Sequence, residues 1–178
     1  MRTSVVDFLK IGGEATRGFL AEPDIAHAPG LVVIHEWWGL TDQITGICER
    51  YAGLGFRALA VDLYDGQVAA LTDPERAGSL MAGLNFVVAT QKTVVAAGRF
   101  LRATGSAKVG LTGYCMGGAI TVLGAALAGA EFQAAVSYYG IPPQGAYDLQ
   151  GIVNPLMGHF ALRDEYFTID QVDALDAA

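Results

Sequence analysis

The sequence predicts a single α/β domain over residues 1–178, built on a doubly wound, mostly parallel sheet. Short apolar runs of strand length alternate with longer helical patterns along the chain, which is the order produced by β-α-β crossovers. Hydrophobic residues make up 52% of the 178 residues, as expected for strands that helices cover on both faces. A chain of this length can bury a sizeable core but is short for two domains.

The first elements are predicted to be a hairpin and two buried strands joined by a helix. Residues 5–21 are typical of two short strands around a Gly-Gly turn. Residues 31–34 are a continuous apolar run, which favours a buried strand. A helix is predicted from Thr41 or Asp42 to the next Gly-Leu-Gly stretch, and residues 58–61 form the following strand.

The middle of the chain predicts a long helix, then a strand that turns directly into a second helix. The long helix begins at Asp73, where proline and acidic residues suit the first turn, and it reaches Arg102 with a break near Gly83. Residues 108–112 form a strand and residues 116–128 a helix. The last predicted elements are a strand at 134–139, a strand at 155–158 and a helix at 170–177.

Reactive side chains follow several of these strands at the point where each strand ends. Ligands of doubly wound sheets bind outside the carboxyl ends of the strands. The sequence therefore predicts a functional site at this edge. The side chains expected there are His35, Glu36, Asp62, Cys115, Tyr139 and Asp164.

The segment between the predicted strand and helix, residues 113–118, has the sequence GYCMGG. Glycines on both sides of one reactive side chain allow the sharp strand-to-helix turn of the nucleophile elbow in α/β-hydrolases. The amino end of a helix also favours a thiolate. Cys115 is therefore predicted to be a nucleophile, with a buried apolar role as the alternative. Cys48 lies in a helical pattern of core residues and is expected to be buried.

Five segments of the chain match one known family in order, at residues 35–40, 62–64, 113–118, 137–140 and 155–164. In these segments the chain resembles the dienelactone hydrolases, which have the α/β-hydrolase fold. The resemblance covers nearly the whole chain. It implies hydrolysis of a small, anionic lactone or enol ester through a cysteine acyl-enzyme, with no cofactor and no metal.

The resemblance also implies roles for individual residues. Cys115 would be the nucleophile, Asp164 the acid that orients a histidine, and Glu36 a carboxylate that contacts the resting thiol and swings away when substrate binds. The backbone amides of Met116 and Trp37 would form the oxyanion hole. The residues expected to contact substrate are Trp38, Arg76, Tyr64 and Tyr139. A core position is the alternative for the aromatic residues, and a solvated helix position is the alternative for Arg76.

The triad histidine of the family has no counterpart in this chain. His27, His35 and His159 all precede Asp164, and the latter two are expected to be structural, with a substitute base as the alternative. Relative to the family, the chain is expected to be truncated at its C-terminus, without a last strand and helix. Three functions stay open: an active hydrolase, an impaired or non-catalytic member that binds a small molecule, and a chain completed by a partner subunit.

Composition restricts the classes of partner. The net charge of −7, without a basic run, argues against nucleic acid and anionic membranes. The first residues do not resemble a signal peptide, because Asp7 and Lys10 interrupt the apolar stretch. A cytoplasmic monomer or homodimer is expected. The two cysteines have neither the spacing of a metal site nor that of a disulfide framework.

Overall fold

A computed structural model describes residues 1–143 and 148–178 and contains a seven-stranded sheet. The strands lie in the order β1-β2-β4-β3-β5-β6-β7. The pairs β1-β2 and β2-β4 are antiparallel, and the remaining pairs are parallel. The predicted fold class and the lead-in hairpin are confirmed. The strand bounds are β1 (Arg2–Leu9), β2 (Ala15–Glu22), β3 (Gly30–Ile34), β4 (Arg57–Val61), β5 (Val109–Tyr114), β6 (Ala135–Tyr138) and β7 (Leu156–His159).

Helices cover both faces of this sheet. Because successive side chains of a strand point to opposite faces, β3 contributes Val33 to one core and both Val32 and Ile34 to the other. Ile44 and Ile47 of α1 pack in the first core, whereas the second core contains residues of α4 and α5. The helices are α1 (Asp42–Gly53), α2 (Pro74–Ala82), α3 (Phe86–Ala89), α4 (Val95–Ala103), α5 (Met116–Leu127) and α6 (Ile169–Asp176).

The long helix predicted after Asp73 is divided, and the break near Gly83 is confirmed. The carboxylate of Asp73 accepts the Arg76 backbone N–H at 3.0 Å and begins α2, and Asn85 caps α3 in the same way. A π-helical segment, Thr90–Val94, joins α3 to α4; the sequence did not predict it.

Within the described residues, no single helix is both long and apolar enough to cross a membrane. The helical segments Pro74–Ala82 and Phe86–Ala103 have the length and apolar composition of a membrane-spanning helix only when taken together, and the chain bends by 76° between them.

The strand register brings the carboxyl ends of the parallel strands to one edge. Ile34 pairs with Gly113, and Tyr114 pairs with Tyr138. Tyr138 in turn pairs with His159 at the end of β7. The residues that follow β3, β5 and β6 therefore begin side by side, although they are far apart in sequence.

Candidate active site

Cys115 occupies the turn between β5 and α5. Its backbone has φ +55° and ψ −118°, a combination that L-residues rarely adopt and that costs about 1–3 kcal/mol. Neighbouring backbone groups hold the turn, since Cys115 N–H donates to the Tyr138 carbonyl at 3.0 Å and its own carbonyl accepts from Ala119 N–H at 3.1 Å. The surrounding sheet and helix therefore stabilise a strained elbow that presents the thiol.

Two glycines make this elbow possible by their close approach to backbone. A Cβ on Gly113 would lie 2.1 Å from the Gly117 carbonyl oxygen, and a Cβ on Gly117 would lie 2.4 Å from the Ile34 carbonyl oxygen. Real Cβ atoms do not approach other atoms so closely. Helix α5 can consequently begin directly against the ends of β3 and β5, which places its amino end beside the thiol.

The Cys115 thiol is partly buried, and charged and polar groups surround it. Burial raises the pKa of the thiol, and the negative charges of Glu36 and Asp164 raise it further. The backbone N–H groups of Met116 and Trp37 act on this pKa in the opposite direction. The sulfur is therefore close to both amides that the family resemblance assigns to an oxyanion hole, and the neutral thiol is the favoured resting form.

Glu36 lies just after β3 and is held by a residue that follows another strand, β6. The hydroxyl of Tyr139 donates to Glu36 Oε1 at 3.1 Å. Tyr139 has φ +40°, and its backbone N–H donates to the His159 carbonyl at 2.8 Å. Burial, followed by the charge of Glu36, raises the pKa of the Tyr139 hydroxyl, which keeps this hydroxyl a neutral donor.

Asp164 lies in the loop after β7 and faces the same cavity as Cys115. Its Oδ1 accepts the backbone N–H groups of Tyr166 at 2.8 Å and Phe167 at 3.0 Å. These bonds fix the carboxylate in a short turn. The neighbouring Glu165 is exposed and is not among the groups that line the cavity, so the structure brings Asp164, and not Glu165, to the site.

The three histidines lie away from the Cys115 cavity. His35 is fully buried, its Nε2 accepts from Leu63 N–H at 3.2 Å, and its Nδ1 lies 2.6 Å from the Glu36 carbonyl oxygen. Burial lowers the pKa of His35, so it is neutral with both nitrogens bonded. The ring of His159 stacks on Tyr138 at 4.7 Å. Neither residue is placed to act as the substitute base, and His27 lies near Arg57 and Gly105 in a different cavity.

The cavity in front of Cys115 has a volume of about 460 Å³. Four of the residues that the family resemblance assigns to the site, besides Cys115, are among those that line it: Trp37, Met116, Tyr139 and Asp164. Sequence reasoning missed most of the apolar lining, which comes from α2, α3 and the loops after β6 and β7. These additional residues are Met81, Phe86, Ile141, Pro143, Tyr166 and Phe167, and Ala119 of α5 completes the lining.

Three residues predicted to contact substrate lie outside this lining. Tyr64 is buried behind the elbow, and its hydroxyl donates to the Met116 sulfur at 3.1 Å. Trp38 packs edge-on against Trp37. Arg76 extends over the surface and donates to the side-chain oxygen of Gln67. The structure therefore does not bring the Arg76 guanidinium to the thiol.

The structure also contains other cavities. A cavity of about 620 Å³ between α5, β7 and α6 is larger but does not include Cys115. Over residues 1–143 and 148–178, no group of three or more His, Cys, Asp or Glu side chains could hold a metal ion. We therefore place the candidate active site at the Cys115 cavity.

Comparison with known proteins gives matches over most of the chain. Residues 16–178 match the family model described as "Dienelactone hydrolase family". The chain is 36% identical to Protein usf of Aquifex pyrophilus, over 94% of this chain and 74% of that protein. It is 28% identical to Carboxymethylenebutenolidase 1 of Cupriavidus pinatubonensis, over 94% of this chain and 75% of that protein.

A solved structure gives the same fold. The crystal structure of a dienelactone hydrolase-like promiscuous phosphotriesterase from metagenomic libraries superposes with a TM-score of 0.81 at 24% identity. The match covers 99% of this chain and 76% of that one. At this level of identity the likeness shows the α/β-hydrolase fold alone.

Proposed function

This chain belongs to the dienelactone hydrolase family, a family of carboxylic ester hydrolases, and we propose that it cleaves a small ester or lactone through a thioester on Cys115. One observation carries this proposal. The Cys115 sulfur lies in a strained turn at the amino end of α5, beside the N–H groups of Met116 and Trp37, and faces an apolar cavity. A nucleophile beside two donors is what acyl transfer requires.

The first step needs a base, because the resting thiol is neutral. In the part of the chain that the structure describes, Tyr139 is the hydrogen-bond partner of the Glu36 carboxylate, through Oε1. Among the described residues Oε2 accepts no hydrogen bond, and we propose it as the acceptor of the thiol proton. When the substrate carbonyl arrives, the proton passes from Cys115 to Glu36, and the sulfur attacks the carbonyl carbon. Glu36 then moves away with the proton.

The tetrahedral oxyanion forms beside the two backbone amides. The N–H groups of Met116 and Trp37 donate to this oxygen, and they need no reorganisation because the elbow fixes them in advance. Collapse of the intermediate breaks the bond to the leaving oxygen, which departs as an enolate or phenolate and takes up a proton from solvent water. The product is a thioester on Cys115. An enol or phenol leaves easily, so activated esters and enol lactones are the favoured substrates.

Deacylation requires a water molecule whose proton is removed as it attacks the thioester. Asp164 points into the cavity, yet none of the three histidines reaches it. With an activated leaving group, thioester formation is expected to be faster than thioester hydrolysis, so the acyl-enzyme accumulates as a burst. The second candidate function is an impaired member of the family that acylates and then retains its ligand.

The experiment is a pre-steady-state reaction with excess 4-nitrophenyl butyrate, followed by nitrophenolate absorbance and the intact mass of the protein. We expect a burst of about one equivalent of nitrophenolate per chain and a butyryl adduct on Cys115, then slower turnover. Cys115→Ala should lose both, and Cys48→Ala should keep both. An undiminished burst in Cys115→Ala contradicts the proposal, and an adduct that persists without turnover favours the impaired member.

The cytoplasmic location, the monomer or homodimer state and the absence of nucleic-acid and membrane partners stay predictions from the sequence.

A further inference from the structure

We infer that His35 is a positioning residue for the oxyanion hole: its ring holds the peptide group whose N–H, that of Trp37, is one of the two proposed donors. The inference rests on the proposed function of Cys115 and concerns how the same site is assembled. None of the proposed reaction steps uses the His35 ring. The ring is fully buried nonetheless, and a buried imidazole needs hydrogen bonds to offset the loss of water.

The two hydrogen-bond partners of His35 select one tautomer of its ring. The Leu63 backbone N–H lies 3.2 Å from Nε2 and can only donate, so Nε2 carries no hydrogen. Nδ1 lies 2.6 Å from the Glu36 carbonyl oxygen, which can only accept. Because burial lowers the pKa of His35, the stable form is the neutral ring with its hydrogen on Nδ1. This ring therefore donates to the Glu36 carbonyl.

The Glu36 carbonyl and the Trp37 N–H belong to the same planar peptide group. A hydrogen bond to the oxygen therefore restricts rotation of the plane and sets the direction of the N–H. The same bond polarises the amide and makes its N–H a better donor. Gly39 N–H donates to the same oxygen at 3.3 Å, so the bond from His35 is the shorter of the two. His35 thus acts on the reacting sulfur through one peptide group, since Trp37 N–H lowers the pKa of the Cys115 thiol.

The turn after β4, which supplies the donor to Nε2, supports the other side of the oxyanion hole as well. Asp62 Oδ1 accepts Tyr64 N–H at 3.0 Å and fixes this turn. The rings of Tyr64 and His35 lie 4.9 Å apart, and the Tyr64 hydroxyl donates to the Met116 sulfur at 3.1 Å. All four side chains are buried. One turn therefore contacts Met116 directly and Trp37 through His35, which suits donors that must be fixed before the reaction.

Two amide substitutions separate the two hydrogen bonds of His35. The Asn side-chain nitrogen is attached to Cγ, as Nδ1 is, so His35→Asn can keep the donor to the Glu36 carbonyl and loses the acceptor for Leu63. The Gln side-chain oxygen lies one atom further out, as Nε2 does, so His35→Gln can keep the acceptor for Leu63 and loses the donor to Glu36. A structural role alone predicts similar effects from both substitutions.

The test measures two reactions of the same thiol, acylation by 4-nitrophenyl butyrate and alkylation by iodoacetamide. His35→Gln should slow the nitrophenolate burst about tenfold, the effect of one hydrogen bond, without changing the ester concentration that gives half of the maximal burst rate. His35→Asn should recover most of this loss. The limiting rate of alkylation at high pH should stay unchanged in both, because alkylation forms no oxyanion. His159→Gln, at the exposed end of β7, is the control and should keep the burst.

Equal slowing of the burst in His35→Gln and His35→Asn overturns the inference, and so does an unchanged burst in His35→Gln. The tautomer needs no variant: ¹⁵N NMR of the unsubstituted protein should show hydrogen on Nδ1 of His35, and hydrogen on Nε2 overturns the inference even if the variants do not fold. These outcomes leave the proposed function intact. If the unsubstituted protein gives neither a burst nor an adduct on Cys115, the proposed function fails and the inference falls with it.

Discussion

Gly140 follows β6 and lies against the carbonyl group of Cys115, so adding one methyl group there should displace the elbow. A Cβ on Gly140 would lie 2.1 Å from the Cys115 carbonyl oxygen and 2.4 Å from the Ala119 backbone nitrogen. Gly140 is buried, and its φ is not among the positive values in the chain. The penalty of Gly140→Ala is therefore almost entirely steric.

The size of the effect follows from these distances. Real Cβ contacts lie at 3.0 Å or more, so the Cys115 carbonyl and the Gly140 backbone must separate by about 0.9 Å. Both are backbone groups, and neither can rotate out of the way. A displacement of about 1 Å at a reacting centre can reduce rate about 100-fold, and overpacking a core costs about 1–3 kcal/mol of stability.

The assay combines the nitrophenolate burst with urea unfolding. We expect Gly140→Ala to fold, to lose about 1–3 kcal/mol of unfolding free energy and to acylate about 100-fold more slowly. Gly46→Ala is the matched control, since a Cβ there meets nothing within 4 Å in helix α1. It should gain about 0.5–1 kcal/mol and keep its rate. A folded Gly140→Ala protein with an unchanged burst would refute the reasoning.

Two further predictions concern the charges around the thiol. Alkylation of Cys115 by iodoacetamide should rise with pH, because the thiolate reacts and the pKa of the thiol is raised above its usual value by burial and by Glu36. Glu36→Gln removes a negative charge and should shift the midpoint of the alkylation-rate profile to lower pH, whereas Glu165→Gln should not. The buried Cys48, whose pKa is raised to about 12, should stay unlabelled. An unshifted midpoint in Glu36→Gln would contradict this account. Tyr139→Phe removes the donor that fixes Glu36 and should slow acylation about tenfold, the effect of losing one charged hydrogen bond, without loss of folding; an unchanged rate would mean that the hydroxyl does not position the carboxylate.

The fold was largely predictable because each element has a local signal. The continuous apolar run at 31–34 belongs to a fully buried central strand, and the proline after Asp73 does begin a helix. The π-helical segment at Thr90–Val94 was not predictable, since its residues are ordinary for an α-helix and the extra residue is accommodated only by packing.

The site was only partly predictable, because contacts between residues that are distant in sequence have no local signal. The thiol, the acid after β3 and the acid after β7 stand in recognisable sequence patterns, but the groups that surround them do not. Tyr139 and Glu36 are 103 residues apart in sequence, and no local pattern indicates that they bond. Arg76 had the chemistry of a carboxylate ligand, yet the path of the chain directs it toward Gln67.

The sequence by itself determined the alternating elements and the Gly-x-Cys-x-Gly turn, because strand, helix and turn preferences are properties of short segments. The tertiary structure decided which residues meet. The order of strands in the sheet brings Glu36, Cys115 and Tyr139 to one edge, and helices α2 and α3 close an apolar, uncharged wall over them. The apolar lining of the Cys115 cavity is a property of that assembled wall, which no single segment contains.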